Sequence, residues 1–488
     1  MTAENGAHRV PLQSLNERKR VVMTWFYFWM LVILVGTTLA VTLFKPEKIY
    51  EYPFFMAAAF AVFIVPQAVS LIRFPGGAEP GWIANALLMS CLCFGACWLG
   101  YRRPAVRSWQ QRLAQPVNLD RLFQGGLVFI AISFFFSFLI SGMTEEETGG
   151  SMWTGKVTIY GFFTGLIYPA FAICFSTALR TNRLLPWIAT AIAAIVPMQT
   201  TVLGGRREPT VLFVLTLALT LYYQRGIKPP RLTIIFSVLF AMLIIPATGT
   251  YRGLAAQRDW EGVRQMDLVG NFQRYLNEES ILELRNAAFI IEATRRSHDY
   301  EYGAGYWDQL VFRFVPAQLL GKGFKDSLMF RPSDERTLNE LSQMGYECPT
   351  GSTITGMADS FQQLGWFGCL FFAAMGLLFK TLFRASQQSD AVFAQLFYIL
   401  IATSAMRAVT HQTLDFLPGV VYNAIFLGLL FLYARVPAPQ AGGRSRNRKT
   451  RGVQSRPDTA PYSVTAPEAG RMDGGGRTPE DKSRTSDL

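Results

Sequence analysis

Residues 122–142 read LFQGGLVFIAISFFFSFLISG, an apolar run without a single charged side chain. Its length matches the roughly 20 residues that an α-helix needs to cross the hydrocarbon layer of a membrane. A transmembrane β-strand would instead show about ten residues of alternating polarity. The stretch therefore predicts a membrane-spanning helix.

Similar runs recur along the chain. Hydrophobic residues make up 50% of the 488 positions, and Phe, Trp and Tyr make up 14%. A bilayer accounts for this much apolar surface better than a water-soluble core does. The other runs lie at 23–44, 53–72, 81–100, 158–179, 184–203, 209–223, 231–248, 364–383, 391–406 and 418–434. The sequence thus predicts an all-α, polytopic membrane protein with about eleven, and up to twelve, transmembrane helices.

These runs divide the chain into five segments. We predict an N-terminal tail (1–22), a transmembrane bundle (23–248), a large, mainly helical extracytoplasmic loop (249–352), further transmembrane helices (353–435) and a disordered basic cytoplasmic tail (436–488) that contacts anionic lipid. The first run is too long for a cleaved signal peptide and lacks a small-residue cleavage site. Within the loop, apolar Ile281, Leu284, Ala288 and Ile291 recur at an i, i+3, i+7, i+10 spacing, which predicts an amphipathic helix over 277–296.

Charge sets the predicted topology. The connections at 101–121, 180–183 and 225–231 are basic, which places them in the cytoplasm, whereas 144–150 carries Glu145, Glu146 and Glu147 and belongs outside. The loop 249–352 holds 12 Lys or Arg against 15 Asp or Glu and also belongs outside. Counting the apolar runs back from the acidic connection at 144–150 puts the N-terminus outside. Arg18, Lys19 and Arg20 instead favour a cytoplasmic N-terminus. We therefore expect that one early helix is missed or misdrawn.

The composition also excludes some functions. The net charge of +12 comes mainly from short loops and the tail, so the positive-inside rule explains it without a nucleic-acid partner. Five of the six cysteines lie in apolar runs, so a disulfide scaffold is not expected. Cys91, Cys93 and Cys97 do not share one helix face and are expected to be packing residues rather than metal ligands.

One connection violates the charge rule. Residues 204–209, GGRREP, join two runs whose other ends are both basic, so Arg206 and Arg207 should face outward. Paired arginines beside glycines favour an anion site. A mis-segmented re-entrant hairpin is the alternative. Arg252 and the segment 407–415 lie at two further outward ends, where single charges more often anchor a helix in the interface.

Three segments of the chain resemble a known family. They are the glycine-arginine turn followed by an apolar run, residues 302–307 (YGAGYW) leading to 314–316, and residues 349–352 (PTGS) continuing to 359–368 (DSFQQLGWFG). Over about residues 120–435 the chain resembles Wzy-type oligosaccharide repeat-unit polymerases, which share their outline with O-antigen ligases.

The resemblance implies a metal-independent glycosyltransferase without a cofactor, located in the bacterial inner membrane with a periplasmic active face. It would join undecaprenyl-diphosphate-linked repeat units, with the lipid-linked glycan as donor and acceptor and a chain-length regulator protein as a partner. No Asp-x-Asp pair occurs in the chain, so arginine must supply the positive charge for the departing diphosphate. The candidate diphosphate-binding residues are Arg206, Arg207, Arg252, Arg313 and Arg407.

Sugar transfer also needs a group that takes the proton of the acceptor hydroxyl. His411 is the histidine in an outward loop next to an apolar run, and Asp415, four residues on, would orient it if the stretch is helical. Asp359 is the third candidate catalytic residue. The alternative is that His411 only hydrogen-bonds at a helix end. At the level of the whole protein, an O-antigen ligase and a non-enzymatic flippase or transporter remain alternatives.

Overall fold

The computed structural model of the chain describes residues 12–144, 156–278, 282–330 and 335–436. Regular structure in these residues is helical, apart from one isolated bridge between Val117 and Arg435. The long helices are α1 (Leu12–Phe44), α2 (Tyr52–Arg73), α3 (Pro80–Arg102), α4 (Leu119–Ser141), α5 (Lys156–Thr181), α6 (Leu184–Val202), α7 (Arg207–Arg225), α8 (Arg231–Ala256), α9 (Thr355–Ser386), α10 (Val392–Thr410) and α11 (Thr413–Ala434).

Each apolar run of the sequence coincides with one of these helices, and three runs extend beyond the helix by a single residue: 122–142, 184–203 and 391–406. Ten of them are long and apolar enough to cross a membrane, and α7 is the long helix outside that set. The ends of α7 are charged, with Arg207 and Glu208 in its first turn and Arg225 in its last. The prediction of a helical, membrane-spanning protein is confirmed for these ten helices.

Local signals fix several helix ends. The Asn118 side chain accepts hydrogen bonds from the amides of Asp120 and Arg121 and so caps the start of α4. Asn182 and Gly226 adopt the left-handed conformation just after α5 and α7, which is the usual way to end a helix. These capping residues therefore mark where the α3–α4, α5–α6 and α7–α8 connections meet the helices.

The long helices alternate in direction and define two ends of the bundle. The end that carries the segment between α8 and α9 is called the loop end. The opposite, basic end holds the α1–α2, α3–α4, α5–α6, α7–α8 and α9–α10 connections. Its basic residues are Lys45, Lys48, Arg102, Arg103, Arg107, Arg112, Arg121, Arg180, Arg183, Arg225, Lys228, Arg231, Lys380, Arg384 and Arg435, and its acidic residues are Glu47, Glu51, Asp120 and Asp390.

The structure corrects the expectation of a missed early helix. Arg20 pairs with Glu79 at 3.1 Å, and Thr24 donates to the carbonyl of Pro80 at 2.9 Å, so α1 and α3 begin side by side at the loop end. The described residues hold no further long helix between them. Arg18, Lys19 and Arg20 therefore share an end with the large loop, and one of these charges is partnered there.

The segment between α8 and α9 consists of short helices at the loop end. Their bounds are Trp260–Arg264, Leu268–Asn277, Glu283–Ser297, Ala304–Phe314, Ala317–Leu320, Lys322–Ser327 and Glu335–Gln343. Because α8 continues to Ala256 and α9 begins at Thr355, this segment runs over 257–354 rather than the predicted 249–352.

The predicted amphipathic helix of the loop is real but lies deeper than expected. It covers Glu283–Ser297, and Leu284, Ala288 and Ile291 are completely buried. The ring of Phe289 stacks on Tyr346 and meets Trp82 of α3 edge-on. This helix therefore forms the core that joins the loop segment to the bundle.

Some predicted features lie outside the described residues. They are the tail from residue 437 onward, residues 1–11, the acidic stretch Glu145, Glu146 and Glu147, and Ile281 of the predicted amphipathic helix.

Candidate functional site

Arg407 joins two helix ends at the loop end of the bundle. Its Nη1 lies 3.0 Å from Glu208 Oε1 in the first turn of α7, and its Nη2 lies 2.8 Å from Asp415 Oδ2. The Nε of Arg407 is buried and has no hydrogen-bond partner among the described residues. A guanidinium held by two carboxylates keeps a fixed orientation, and these two contacts use only part of its five N–H donors.

Close helix packing fixes the backbone around Arg407. A Cβ added to Gly356 of α9 would lie 1.6 Å from the carbonyl oxygen of Ala408, the next residue of α10. Only glycine permits this approach. The position of the Arg407 turn thus depends on contact between α9 and α10.

The glycine-arginine turn is held by the end of α8. Gly205 has φ +53°, and a Cβ there would meet the Tyr251 ring at 2.8 Å. Arg252 Nε donates to the carbonyl of Gly205 at 3.0 Å, and Arg207 Nη2 donates to the carbonyl of Ile245 at 3.2 Å. Arg206, Arg207 and Arg252 lie close enough to repel one another, so this corner is strongly positive.

His411 follows the last residue of α10. Its backbone N–H bonds the carbonyl of Arg407 at 2.8 Å, and its Nδ1 lies 2.9 Å from the hydroxyl of Thr410. Burial and the charge of Arg407 lower the pKa of His411 to about 4. The imidazole is therefore neutral at pH 7 but is a weak base.

The helix assumed for the orienting role of Asp415 is not present. The chain leaves the α-helix at Thr410 and makes only a short 3₁₀ turn over Thr413–Asp415, so the i, i+4 geometry does not form. Asp415 binds Arg407 and accepts from Gln309 Nε2 at 3.2 Å. The imidazole contacts the hydroxyl of Thr410, and the charge of Asp415 also acts on it.

Arg313 lies near this cluster from the loop side. Burial lowers its pKa, and the charges that act on it are those of Asp415, Arg407 and Glu208. It is carried by the helix Ala304–Phe314, which also supplies Gln309. The loop segment therefore adds both a cation and a hydrogen-bond donor beside the ends of α7 and α10.

Asp359 is separated from the arginines. It is buried within α9, where it accepts from the hydroxyl of Thr413 and from the amide of Leu414 at 2.9 Å. The hydroxyls of Thr413 and Tyr306 lie 3.0 Å apart. Asp359 thus fixes the turn between α10 and α11 and reaches the loop segment through two hydroxyl groups.

A cavity of about 540 Å³ opens on this cluster. Its loop-end lining is charged or polar and includes Arg207, Glu208, Arg407, Thr410 and His411. From there it runs between α2, α7, α8 and α10 toward the basic end, along a mostly apolar wall. The wall includes Phe54, Phe55, Val62, Phe63, Val211, Leu215, Val238, Ala241, Ile227 and Pro229. The cavity is therefore a long apolar trench with charge at one end.

The outer wall of the trench, α8, is largely unburied. Among its residues only Ile234, Ala247 and Ala255 are buried, whereas Leu232, Phe236 and Phe240 are more than half exposed. Because α8 is also among the ten apolar helices, this wall separates the trench from the surrounding hydrocarbon.

All eight sequence-predicted residues lie at the loop end, in different positions. Arg207, Arg407 and His411 line the cavity; Arg206, Arg252, Arg313, Asp415 and Asp359 stand around it. Sequence reasoning missed Glu208 and Gln309 as partners of the cluster, although Glu208 is part of the GGRREP turn. Within the described ranges, no group of three or more His, Cys, Asp and Glu side chains could hold a metal ion.

Comparison with known proteins found no matching family model, no matching curated protein and no matching solved structure.

Proposed function

We propose that the protein is a glycosyltransferase that polymerises polyprenyl-diphosphate-linked oligosaccharide repeat units, with its active face at the loop end. The single observation that carries the proposal is the trench, which is apolar over most of its length and ends at Arg207, Arg407 and His411. A long polyprenyl chain fits an apolar trench, and its diphosphate fits an arginine cluster. The excess of basic over acidic residues in the short connections at the other end supports a periplasmic active face in a bacterial inner membrane.

The proposed reaction needs positive charge where the bond breaks. An acceptor hydroxyl attacks the anomeric carbon of the donor sugar, the bond from that carbon to the diphosphate breaks, and the diphosphate leaves with the electron pair. Arg206, Arg207, Arg252, Arg313 and Arg407 outnumber Glu208 and Asp415, so the cluster keeps a net positive charge that stabilises this leaving group.

The hydroxyl proton needs an acceptor. Of the three candidates, His411 lines the cavity, whereas Asp415 is paired with Arg407 and Asp359 is buried behind Thr413. We assign the proton to His411. Because its pKa is low, we expect the gain from this base to lie near the lower limit of about 10²-fold.

The test is a deletion strain together with a purified reaction. If the protein is a polymerase, the deletion strain should carry surface glycan with single repeat units in place of a ladder. Lipid-linked polymer that is never transferred to lipid A would indicate a ligase, and repeat units retained on the cytoplasmic side would indicate a flippase. Purified full-length protein given lipid-linked repeat units should form polymer in the presence of EDTA. No polymer with any such donor would contradict the proposal.

A further inference from the structure

A second cavity lies at the basic end of the bundle, remote from the candidate site. Its volume is about 480 Å³, and it is bounded by α1, the turn Pro46–Tyr50, the start of α2, the end of α3 and α9. The charged side chains that line it are Lys48, Glu51, Arg102 and Lys380. Three cations against one carboxylate leave this cavity with a net positive charge.

Two of the three cations, Arg102 and Lys380, lie over aromatic rings. The guanidinium of Arg102 lies 3.6 Å from the centroid of the Trp98 ring, and Lys380 Nζ lies 4.6 Å from that of Tyr101. Across the described ranges, neither these two nor Lys48 forms an ion pair within 4.0 Å. Aromatic faces position a cation without neutralising it, so the positive charge remains available to a ligand.

Tyr101 lines the same cavity beside its one carboxylate. The side chain is 5% exposed, and the carboxylate of Glu51 acts on its hydroxyl. Buried hydroxyl groups are nearly always hydrogen-bonded to protein, water or ligand. Tyr101 thus faces Glu51 and is not part of the positive wall of the cavity.

The remaining wall of the cavity adjoins the outer surface of the bundle. Its apolar residues include Leu34 and Val41 of α1 with Phe54 and Phe94. Three threonines of α1 also line it, and their hydroxyls donate to carbonyls of the same helix: Thr37, Thr38 and Thr42. Val41 is 47% exposed, and α1 is one of the apolar helices that could span a membrane. A molecule in this cavity therefore meets positive charge on one side and hydrocarbon on the other.

We propose that this cavity binds an anionic phospholipid, with its phosphate between Lys48, Arg102 and Lys380 and its acyl chains along α1. Basic pockets between membrane helices are suited to lipid phosphate. The guanidinium of Arg102 offers paired donors to phosphate oxygens. The proposal is independent of the glycosyl transfer proposed for the loop end.

The test uses the full chain in a neutral detergent. Binding of phosphatidylglycerol is measured by native mass spectrometry and by the shift in thermal unfolding, with phosphatidylcholine as the zwitterionic reference. The cavity variant is Lys48→Gln/Arg102→Gln/Lys380→Gln. The matched control removes three exposed charges at the same end, outside the cavity lining, as Arg103→Gln/Arg107→Gln/Arg112→Gln.

We expect phosphatidylglycerol to bind the wild type and the control alike and the cavity variant about tenfold or more weakly. Equal weakening in both triple variants would reveal general charge attraction and overturn the site. Unchanged binding in the cavity variant would overturn it too.

A further measurement distinguishes a lipid from a free phosphate compound. Inorganic phosphate and glycerol 3-phosphate should compete only weakly, because they lack acyl chains. If either competes as well as the lipid, the site binds a free phosphate compound and the lipid assignment fails.

Discussion

The two cavities differ in how their positive charges are held. At the loop end, Arg407 is fixed between Glu208 and Asp415, whereas at the basic end Lys380 and Arg102 rest on aromatic rings. Ion pairing fixes a guanidinium in one orientation but offsets part of its charge. A ring leaves the charge whole but permits more movement. The loop end is thus built for a defined geometry and the basic end for simple attraction of an anion.

The largest expected effect comes from removing the paired arginine. Arg407→Ala leaves Glu208 and Asp415 without their shared cation and removes a donor from the trench. We expect polymer formation from purified lipid-linked repeat units to fall by about 10²- to 10³-fold. Arg407→Lys should recover only part of it, because a point charge cannot contact both carboxylates as the planar fork does. Arg112→Ala, at the basic end, serves as the control, and wild-type rates in Arg407→Ala would remove this residue from the site.

A smaller effect should follow from disturbing the backbone that supports Arg407. Gly356→Ala pushes a methyl group onto the Ala408 carbonyl, and overpacking of this kind costs about 1 to 3 kcal/mol. Gly428→Ala in α11 meets no atom within 4 Å and should be neutral or stabilising by about 0.5 to 1 kcal/mol. Thermal unfolding in detergent compares the two. A stable Gly356→Ala protein with normal activity would show that α9 and α10 do not fix the site.

The pH dependence of stability should show whether the folded protein keeps the His411 imidazole neutral. Its pKa is about 4 in the folded protein and about 6.5 when unfolded, so the unfolded chain binds the proton first as pH falls. The folded state therefore loses stability between pH 6.5 and 4, and this loss is absent above pH 6.5. We expect His411→Gln to melt with a flatter pH dependence over that range than the wild type does. Identical curves would mean that the imidazole is not held neutral.

The smallest effect is expected for an exposed ion pair whose distance is similar to that of the Arg407 pairs. Arg183 and Asp120 lie 2.9 Å apart at the basic end, but their side chains are 67% and 71% exposed. Exposed pairs contribute about 0 to 1 kcal/mol. Arg183→Ala should change the melting temperature little and leave both cavities intact. A large loss would show that distance alone, without burial, determines the value of these pairs.

Most of the helices could be predicted because their signal is local. A run such as 122–142 carries its own hydropathy, and the bilayer requirement converts that into a helix without knowledge of any neighbour. The topology was predicted less well, because Arg18, Lys19 and Arg20 were weighed by the charge rule alone. The structure shows Arg20 beside Glu79, a partner 59 residues away that a rule about single loops does not contain.

The arrangement of the candidate site depends on contacts that the sequence does not display. Glu208 and Arg407 are 199 residues apart, and Gln309 and Asp415 are 106 apart. The expected i, i+4 pairing of Asp415 with His411 required the α-helix to continue past Thr410. The helix ends at that residue, so the pairing geometry does not form. The grouping of the arginines at one end could be predicted from the alternating direction of the apolar runs. The trench between four helices could not be predicted, because apolar side chains do not indicate which helices pack together.

Because the wall formed by α8 is exposed, the occupancy of the trench depends on the concentration of ligand within the membrane. A ligand that enters past this helix arrives by lateral diffusion within the lipid film, and its effective concentration is a surface density. Adding water to a vesicle suspension leaves that density unchanged, whereas adding inert lipid lowers it. Saturation of the trench should therefore follow the mole fraction of ligand in the membrane, and a half-saturation value quoted in molar units would vary with the amount of lipid in the assay.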